Sequence, residues 1–387
     1  MSGLDPAERG STVDFEPSEE QGMLRDVIRA TLRGHAGPDR VRDLLNADED
    51  VDPGLWQLAA DLGWTGLALP EEYEGTGQGL TELALAAEEL GRAVARGPFL
   101  TSALVGLAVS RGGSAELRAE VLPAIAAGAA RATWAFAEPG GQWSTRHLLT
   151  KATPRQDGFL LHGTKSTVQD AGSARWLLVT ALLDGEPANF LVDRHANGVI
   201  VRRQQSMDLT RNLYKVSLDR VHVPVGHRLD GGPPDVSALR DAGAVLTAAD
   251  ALGAAEWLLN ATLDYAKVRV QFGRPIGSFQ AIKHKAADMR MAVQGMRAAV
   301  YYAAMAADAG APDAGRAASI AKAFASEKAS ELAGEALQIH GGIGFTWEHD
   351  LHLYLRRVKA DEVLYGDAAP HYERVCRLLL AARHPVT

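Results

Sequence analysis

Only one cysteine, Cys376, occurs among 387 residues. A single thiol excludes an internal disulfide framework and fits a reducing compartment. It lies in an apolar stretch at helical spacing, where a packed thiol is expected rather than a nucleophile. No basic run exists: 40 Lys and Arg stand against 48 Asp and Glu, for a net charge of -8, which argues against nucleic acid as a partner. No stretch reaches the roughly 18 uninterrupted apolar residues of a membrane span, because charges such as Asp250 and Glu256 break the candidates. The opening Met1 to Gly10 carries Asp5 and Glu8 and lacks the apolar centre of a secretory signal. A cytoplasmic location with no membrane contact is expected. Low-complexity tracts are missing as well. What remains is ordinary globular usage, 47% apolar and 23% charged, on a chain long enough for one large domain or two to three smaller ones.

The spacing of Leu24, Val27, Ile28, Thr31 and Leu32 predicts an opening amphipathic helix, with Ser18 and Gln21 as its capping box. Further helical stretches are expected at Leu55 to Leu62, Thr81 to Val94, Leu100 to Ser110 and Ala115 to Ala126. Near Thr133 the texture changes to short runs rich in Val, Leu, Phe and Thr, bounded by turn residues. Thr133 to Ala137, Phe159 to His162, Trp176 to Ala181, Asn189 to Val192, Val199 to Arg202 and Tyr214 to Val223 read as the strands of an antiparallel domain. After Gly231-Gly232-Pro233-Pro234 the helical period returns, broken at Gly273-Arg274-Pro275, near Gly310 to Pro312 and at Gly341 to Gly344. The reading is mainly α with a central β domain, divided at 1–130, 131–234 and 235–387.

Two segments carry more than a fold. From Tyr265 to His284 the chain reads through Arg269, Phe272-Gly273-Arg274-Pro275 and Phe279-Gln280, and a later turn reads Gln338-Ile339-His340-Gly341-Gly342-Ile343-Gly344-Phe345. Taken singly, Gly273-Arg274-Pro275 is a turn between helices and Gly341-Gly342 a helix C-cap. An arginine fork and a glycine pair are also what a pyrophosphate needs, since glycine lets backbone N–H groups approach the phosphate oxygens. Together with Leu62-Gly63-Trp64 and Pro70-Glu71-Glu72-Tyr73, these segments resemble the acyl-CoA dehydrogenase family along nearly the whole chain. That resemblance implies an N-terminal helical domain, a middle β-barrel and a C-terminal four-helix bundle. It also implies FAD, an acyl-CoA substrate and an electron-transferring flavoprotein as acceptor. In the family, residues at these positions reach FAD held mainly by a neighbouring subunit. Here they are Arg269, Phe272, Gln280, Gln338, Gly341 and Gly342.

The resemblance fails where the chemistry would be done. The family reaction removes an α proton from a thioester and so needs a carboxylate beside the flavin. Counting from Arg356-Arg357-Val358-Lys359 places Tyr365, before Gly366, where many relatives have that glutamate. Other relatives carry the base on the helix before the first motif; counting back from Phe272 puts Gly243 at that position, and Ala244 where an arginine is usual. Asp241, Asp250 and Glu362 are the nearby acids that could substitute. The segment expected to read Thr-Glu-Pro-Gly-x-Gly-Ser-Asp is Ala137-Glu138-Pro139-Gly140-Gly141-Gln142-Trp143-Ser144. Past Gly163-Thr164-Lys165, Thr167 and Gln169 replace a tryptophan and a threonine, and past Gly366, Asp367 and Ala369 replace a threonine and a glutamine. Contacts to a neighbour's FAD are kept, while contacts to the chain's own FAD and the base are lost. This pattern resembles the non-catalytic chain of heterotetrameric acyl-CoA dehydrogenases of steroid side-chain breakdown, which implies no catalytic residue here, a homologous catalytic partner and a steroid-CoA ester. A self-sufficient homotetramer with a displaced base, and a scaffold or binding protein on the same fold, are the other readings.

Overall fold

The computed structural model describes residues 18–140 and 143–383. The expectation for Met1 to Gly10, and the positions Gly141 and Gln142, lie outside the described residues. The chain opens with α1 (Glu19–His35), whose Ser18 and Gln21 close the expected capping box. Next come α2 (Pro38–Asn46) and α3 (Pro53–Asp61), the latter capped by the Asp52 carboxylate on the Gly54 and Leu55 N–H groups. Then follow α4 (Leu80–Arg92), α5 (Phe99–Gly112) and α6 (Ala115–Ala126). Gly79 has no side chain with which to cap α4. Asp308 supplies the missing acceptor, taking the Leu80 and Thr81 N–H groups at 2.7 and 2.9 Å.

The middle segment folds as β1 (Ala132–Ala135), β2 (Lys151–Arg155), β3 (Gly158–Gln169), β4 (Trp176–Leu183), β5 (Glu186–Asp193), β6 (Val199–Gln204) and β7 (Leu213–Pro224). They form one curled seven-stranded sheet in the order β1-β4-β2-β3-β7-β6, with β5 also paired to β4. The expectation of an antiparallel sheet needs correction, because β1 runs parallel to β4 in the register Ala132↔Trp176. Such a pairing joins distant segments and leaves no turn signal in the sequence. The β3–β7 register shifts between Lys165 and Val168, so Ser166 and Thr167 leave the ladder. Thr167 adopts φ 53°, and the Ser166 N–H reaches the Ala137 carbonyl at 2.9 Å.

The third part holds α7 (Gly232–Val268), a hairpin of β8 (Val270–Gln271) and β9 (Arg274–Pro275), α8 (Gln280–Asp308), α9 (Ala314–His340), α10 (Leu351–Val363) and α11 (Ala368–Arg383). By length and composition α7 could cross a membrane, at a mean hydropathy of 1.3, but 89% of that window is buried inside the protein. Its apolar residues are spread around the helix because α4, α8, α9 and α10 pack around it, and its buried charges, such as Asp250, are paired. The α4 and α7 backbones touch. A Cβ on Gly91 would stand 2.0 Å from the Asp250 carbonyl oxygen, and one on Gly253 1.8 Å from that of Glu88. One hydrophobic core thus joins the first and third parts, with Leu90, Val105, Val245, Leu252, Val300 and Leu332 in it, and the sheet encloses a second around Leu161, Val179, Phe190 and Val216.

Candidate functional site

The two motifs meet at the C-terminal ends of α7 and α9. Tyr265, one turn before Arg269, stacks on His340 with ring centroids 4.4 Å apart and donates a 3.4 Å hydrogen bond to its carbonyl. Arg269 caps α7 and roots the hairpin: its N–H bonds to Tyr265 O at 2.9 Å, and its carbonyl accepts from Ile276 N at 2.8 Å. The guanidinium has no ion pair among the described residues. The hairpin turn consists of Phe272 (φ 52°) and Gly273 (φ 78°), a left-handed pair that glycine adopts freely and phenylalanine does not. Phe272 is 92% exposed. Gln280 opens α8, Gln338 lies in the last turn of α9, and Gly341 follows at φ 63°. A Cβ on Gly341 or Gly342 would meet nothing within 4 Å, so this backbone is open to a ligand. All six residues are exposed or half-exposed, on a surface that also shows Val268, Ile343, Phe345 and Trp347.

A cleft of about 780 Å³ lies between the loop after β1, the start of α7 and the α10–α11 turn. Tyr365 forms part of its lining, and Gly243 of α7 lies under the ring: a Cβ on Gly243 would stand 2.3 Å from Tyr365 Cε1. Thus the two positions at which a base was sought are in contact, one a phenol and the other without a side chain. Trp143 packs tilted against Tyr365 with ring centroids 4.4 Å apart, Trp134 lies at 6.2 Å, and Phe136 stacks parallel to Trp143 at 5.7 Å. Burial pushes the Tyr365 hydroxyl well above the usual phenol range, against the pull of Arg211, so it is no base near neutral pH. Two buried lysines shape this region. Lys322 donates to Ser326 Oγ and to the Glu362 and Gly366 carbonyls, fixing the turn that holds Tyr365 at φ 60°. Lys165 donates to Phe136 O and to Glu138, whose carboxylate also caps the Leu149 and Thr150 N–H groups.

None of the three substitute acids is poised for proton abstraction. Asp241 is held by both terminal nitrogens of Arg374. Asp250 is fully buried between Arg357 and Arg211. Glu362 accepts from Lys359 and from Ser330 Oγ; burial would raise its pKa, but these partners and the Lys322 charge hold it below the usual range. The Thr167 N–H is taken by Gln204 Oε1, and Gln169 Oε1 faces Arg211. Cys376 departs from expectation: it is exposed on α11, because the apolar residues of this last helix partly face outward.

The tight fit makes Gly243→Ala informative. The ring is boxed in by Trp143 and Trp134, so the new methyl is expected to destabilise the chain by about 1–3 kcal/mol, as overpacking does. Thermal unfolding of Gly243→Ala, of Tyr365→Ala and of the double variant checks this. Most of the Gly243→Ala penalty should vanish once the ring is removed.

Residues 18–129 match the family described as acyl-CoA dehydrogenase, N-terminal domain, and residues 236–380 its C-terminal domain. The acyl-CoA dehydrogenase IpdE2 of Mycolicibacterium smegmatis is 34% identical over 362 residues, spanning 93% of this chain and 98% of its own length. Among solved structures, a variant of the Tcur3481-Tcur3483 steroid ACAD is 33% identical with a TM-score of 0.88, covering 94% of this chain and 99% of that one. The ChsE4-ChsE5 complex from Mycobacterium tuberculosis is 29% identical with a TM-score of 0.88, covering 95% and 99%.

Proposed function

The chain belongs to the acyl-CoA dehydrogenase family, and from that premise we propose that it is the non-catalytic subunit of a heteromeric, FAD-dependent member. The observation that carries this reading is the contact of Tyr365 with Gly243, which leaves no carboxylate at either position where the family's base stands. A homologous catalytic subunit supplies the base and most of the FAD site. FAD, when bound, accepts the hydride from the acyl β carbon. This chain contributes the Arg269 guanidinium, the Gln280 and Gln338 amides and the Gly341-Gly342 backbone, a donor set suited to a pyrophosphate. Phe272 and the apolar residues beside it are the surface the partner covers. Two of the similar structures are named as paired proteins, ChsE4-ChsE5 and Tcur3481-Tcur3483, and the latter as a steroid enzyme. By analogy the substrate is a steroid side-chain CoA ester, with an electron-transferring flavoprotein as acceptor. The domain division at 131 and 235 belongs to the same proposal.

Two substitutions test the assignment in the assembled complex. Tyr365→Phe is expected to leave turnover within about threefold, whereas loss of a base costs on the order of 10²–10⁴-fold. Abolished turnover would return a working site to this chain. Arg269→Ala removes a side chain that no hairpin bond needs. It should speed FAD release about 10- to 100-fold, the value of one charge-assisted phosphate contact, with the circular dichroism spectrum unchanged. An unaltered off-rate would show that Arg269 does not reach FAD.

A further inference from the structure

The cleft beside Tyr365 also holds arginines that the proposed function does not use. Arg240 enters from α7, Arg374 and Arg377 from α11, and Arg146 from the loop after β1. Arg374 and Asp241 satisfy each other through two bonds. Arg240 is left at 3.8 Å from Asp241 Oδ1, with its side chain only 18% exposed. It makes no hydrogen bond to any described residue. Burial and the charges of Arg374 and Arg377 work against its own charge, and Asp241 only partly offsets them. A guanidinium does not shed its proton, so such a group gains from an incoming anion.

The rest of the lining sets the kind of anion. Its acids are Asp367 and Glu373, and its histidines His147 and His371. Burial holds His371 neutral, its pKa lowered to about 4. With Arg374 cancelled by Asp241, Arg146, Arg240 and Arg377 face two acids, a surplus of one positive charge that suits a monoanion and not a polyphosphate. Trp143, Val363, Tyr365, Pro370 and Leu378 give the same cleft apolar surface, and about 780 Å³ lies within the range of small-molecule sites.

We propose that this cleft binds an amphipathic carboxylate, its apolar body against Trp143 and Tyr365 and its carboxylate on Arg240 and Arg377, as a ligand site and not a reaction site. The proposal rests on the reading of the cleft as lacking a base. Sodium cholate, a rigid apolar body with one carboxylate, is the probe, titrated below its micellar range into the full chain. Tryptophan fluorescence and calorimetry provide the readout. Saturable one-to-one binding is expected, weakened about tenfold or more by Arg240→Ala and largely kept by Arg240→Lys, since an arginine–carboxylate contact is worth at least that factor. Methyl cholate, which needs no variant, should bind at least tenfold more weakly. Equal binding of ester and acid, an unchanged Arg240→Ala, or no saturable binding of cholate would overturn the proposal. Oxidation of cholyl-CoA by the chain alone would overturn both this site and the non-catalytic reading. Failure with cholate alone leaves that reading standing, because flavin content tests it separately.

Discussion

Asp250→Ala is expected to cost the chain about 3–5 kcal/mol, because it strips the counter-charge from two buried guanidinium groups at once. Asp250 accepts from Arg357 Nε and Nη2 at 2.8 and 2.6 Å and from Arg211 Nη2 at 2.8 Å, with its side chain fully buried. Arg357 continues to the Ala95 carbonyl and Thr210 Oγ1, and Arg211 to Asp208 and Asp361. One network therefore ties α7 and α10 to the turn after α4 and the β6–β7 loop, four segments far apart in the chain. The pH dependence has a definite sign. Burial would raise the Asp250 pKa, but Arg357 and Arg211 outweigh it and hold the group well below the ordinary range. A depressed carboxylate contributes stability that is fully present above its unfolded pKa, roughly 3.9, and is lost as pH falls toward the folded value. Burial drives Asp361 the opposite way, against the pull of Arg211, so its contribution shrinks as pH rises above that same unfolded value. Urea unfolding at pH 7 and pH 3 checks the account: Asp250→Ala should lose most at pH 7 and less at pH 3. An equal loss at both would mean that the carboxylate charge is not what stabilises the network.

Much of this fold was legible because local rules and burial agree. The capping box at Ser18, the turn at Gly273-Arg274-Pro275 and the breaks near Gly310 and Gly341 all sit where side-chain chemistry placed them. Strand β2 was not expected, since Lys-Ala-Thr-Pro-Arg is polar and exposed and is held by its pairing with β3. Helix α2 is too short for its period to stand out. For the candidate site, resemblance marked Tyr365 and Gly243 as two separate losses. Only the folded chain shows that they are one contact, because α7 and the α10–α11 turn meet through tertiary packing. The Arg240, Arg374 and Arg377 group escaped notice for a related reason: on helices, isolated arginines read as solvated charges until a cleft gathers them.

The other large effect is on flavin. Trp134, Phe136, Trp143 and Tyr365 pack together in the region where the chain's own flavin contacts would be sought, and Asp367 adds a negative charge there. On the proposed reading the donors around Arg269 are only part of a binding site, and one or two charge-assisted contacts worth about 1.5–3 kcal/mol each fall far short of tight retention. The most direct measurement is the FAD content and acyl-CoA turnover of this chain purified alone and together with its catalytic partner. The account predicts a colourless, inactive protein alone and, in the complex, one FAD for each pair of unlike chains with full turnover. One FAD per chain, with turnover by this chain alone, would contradict it.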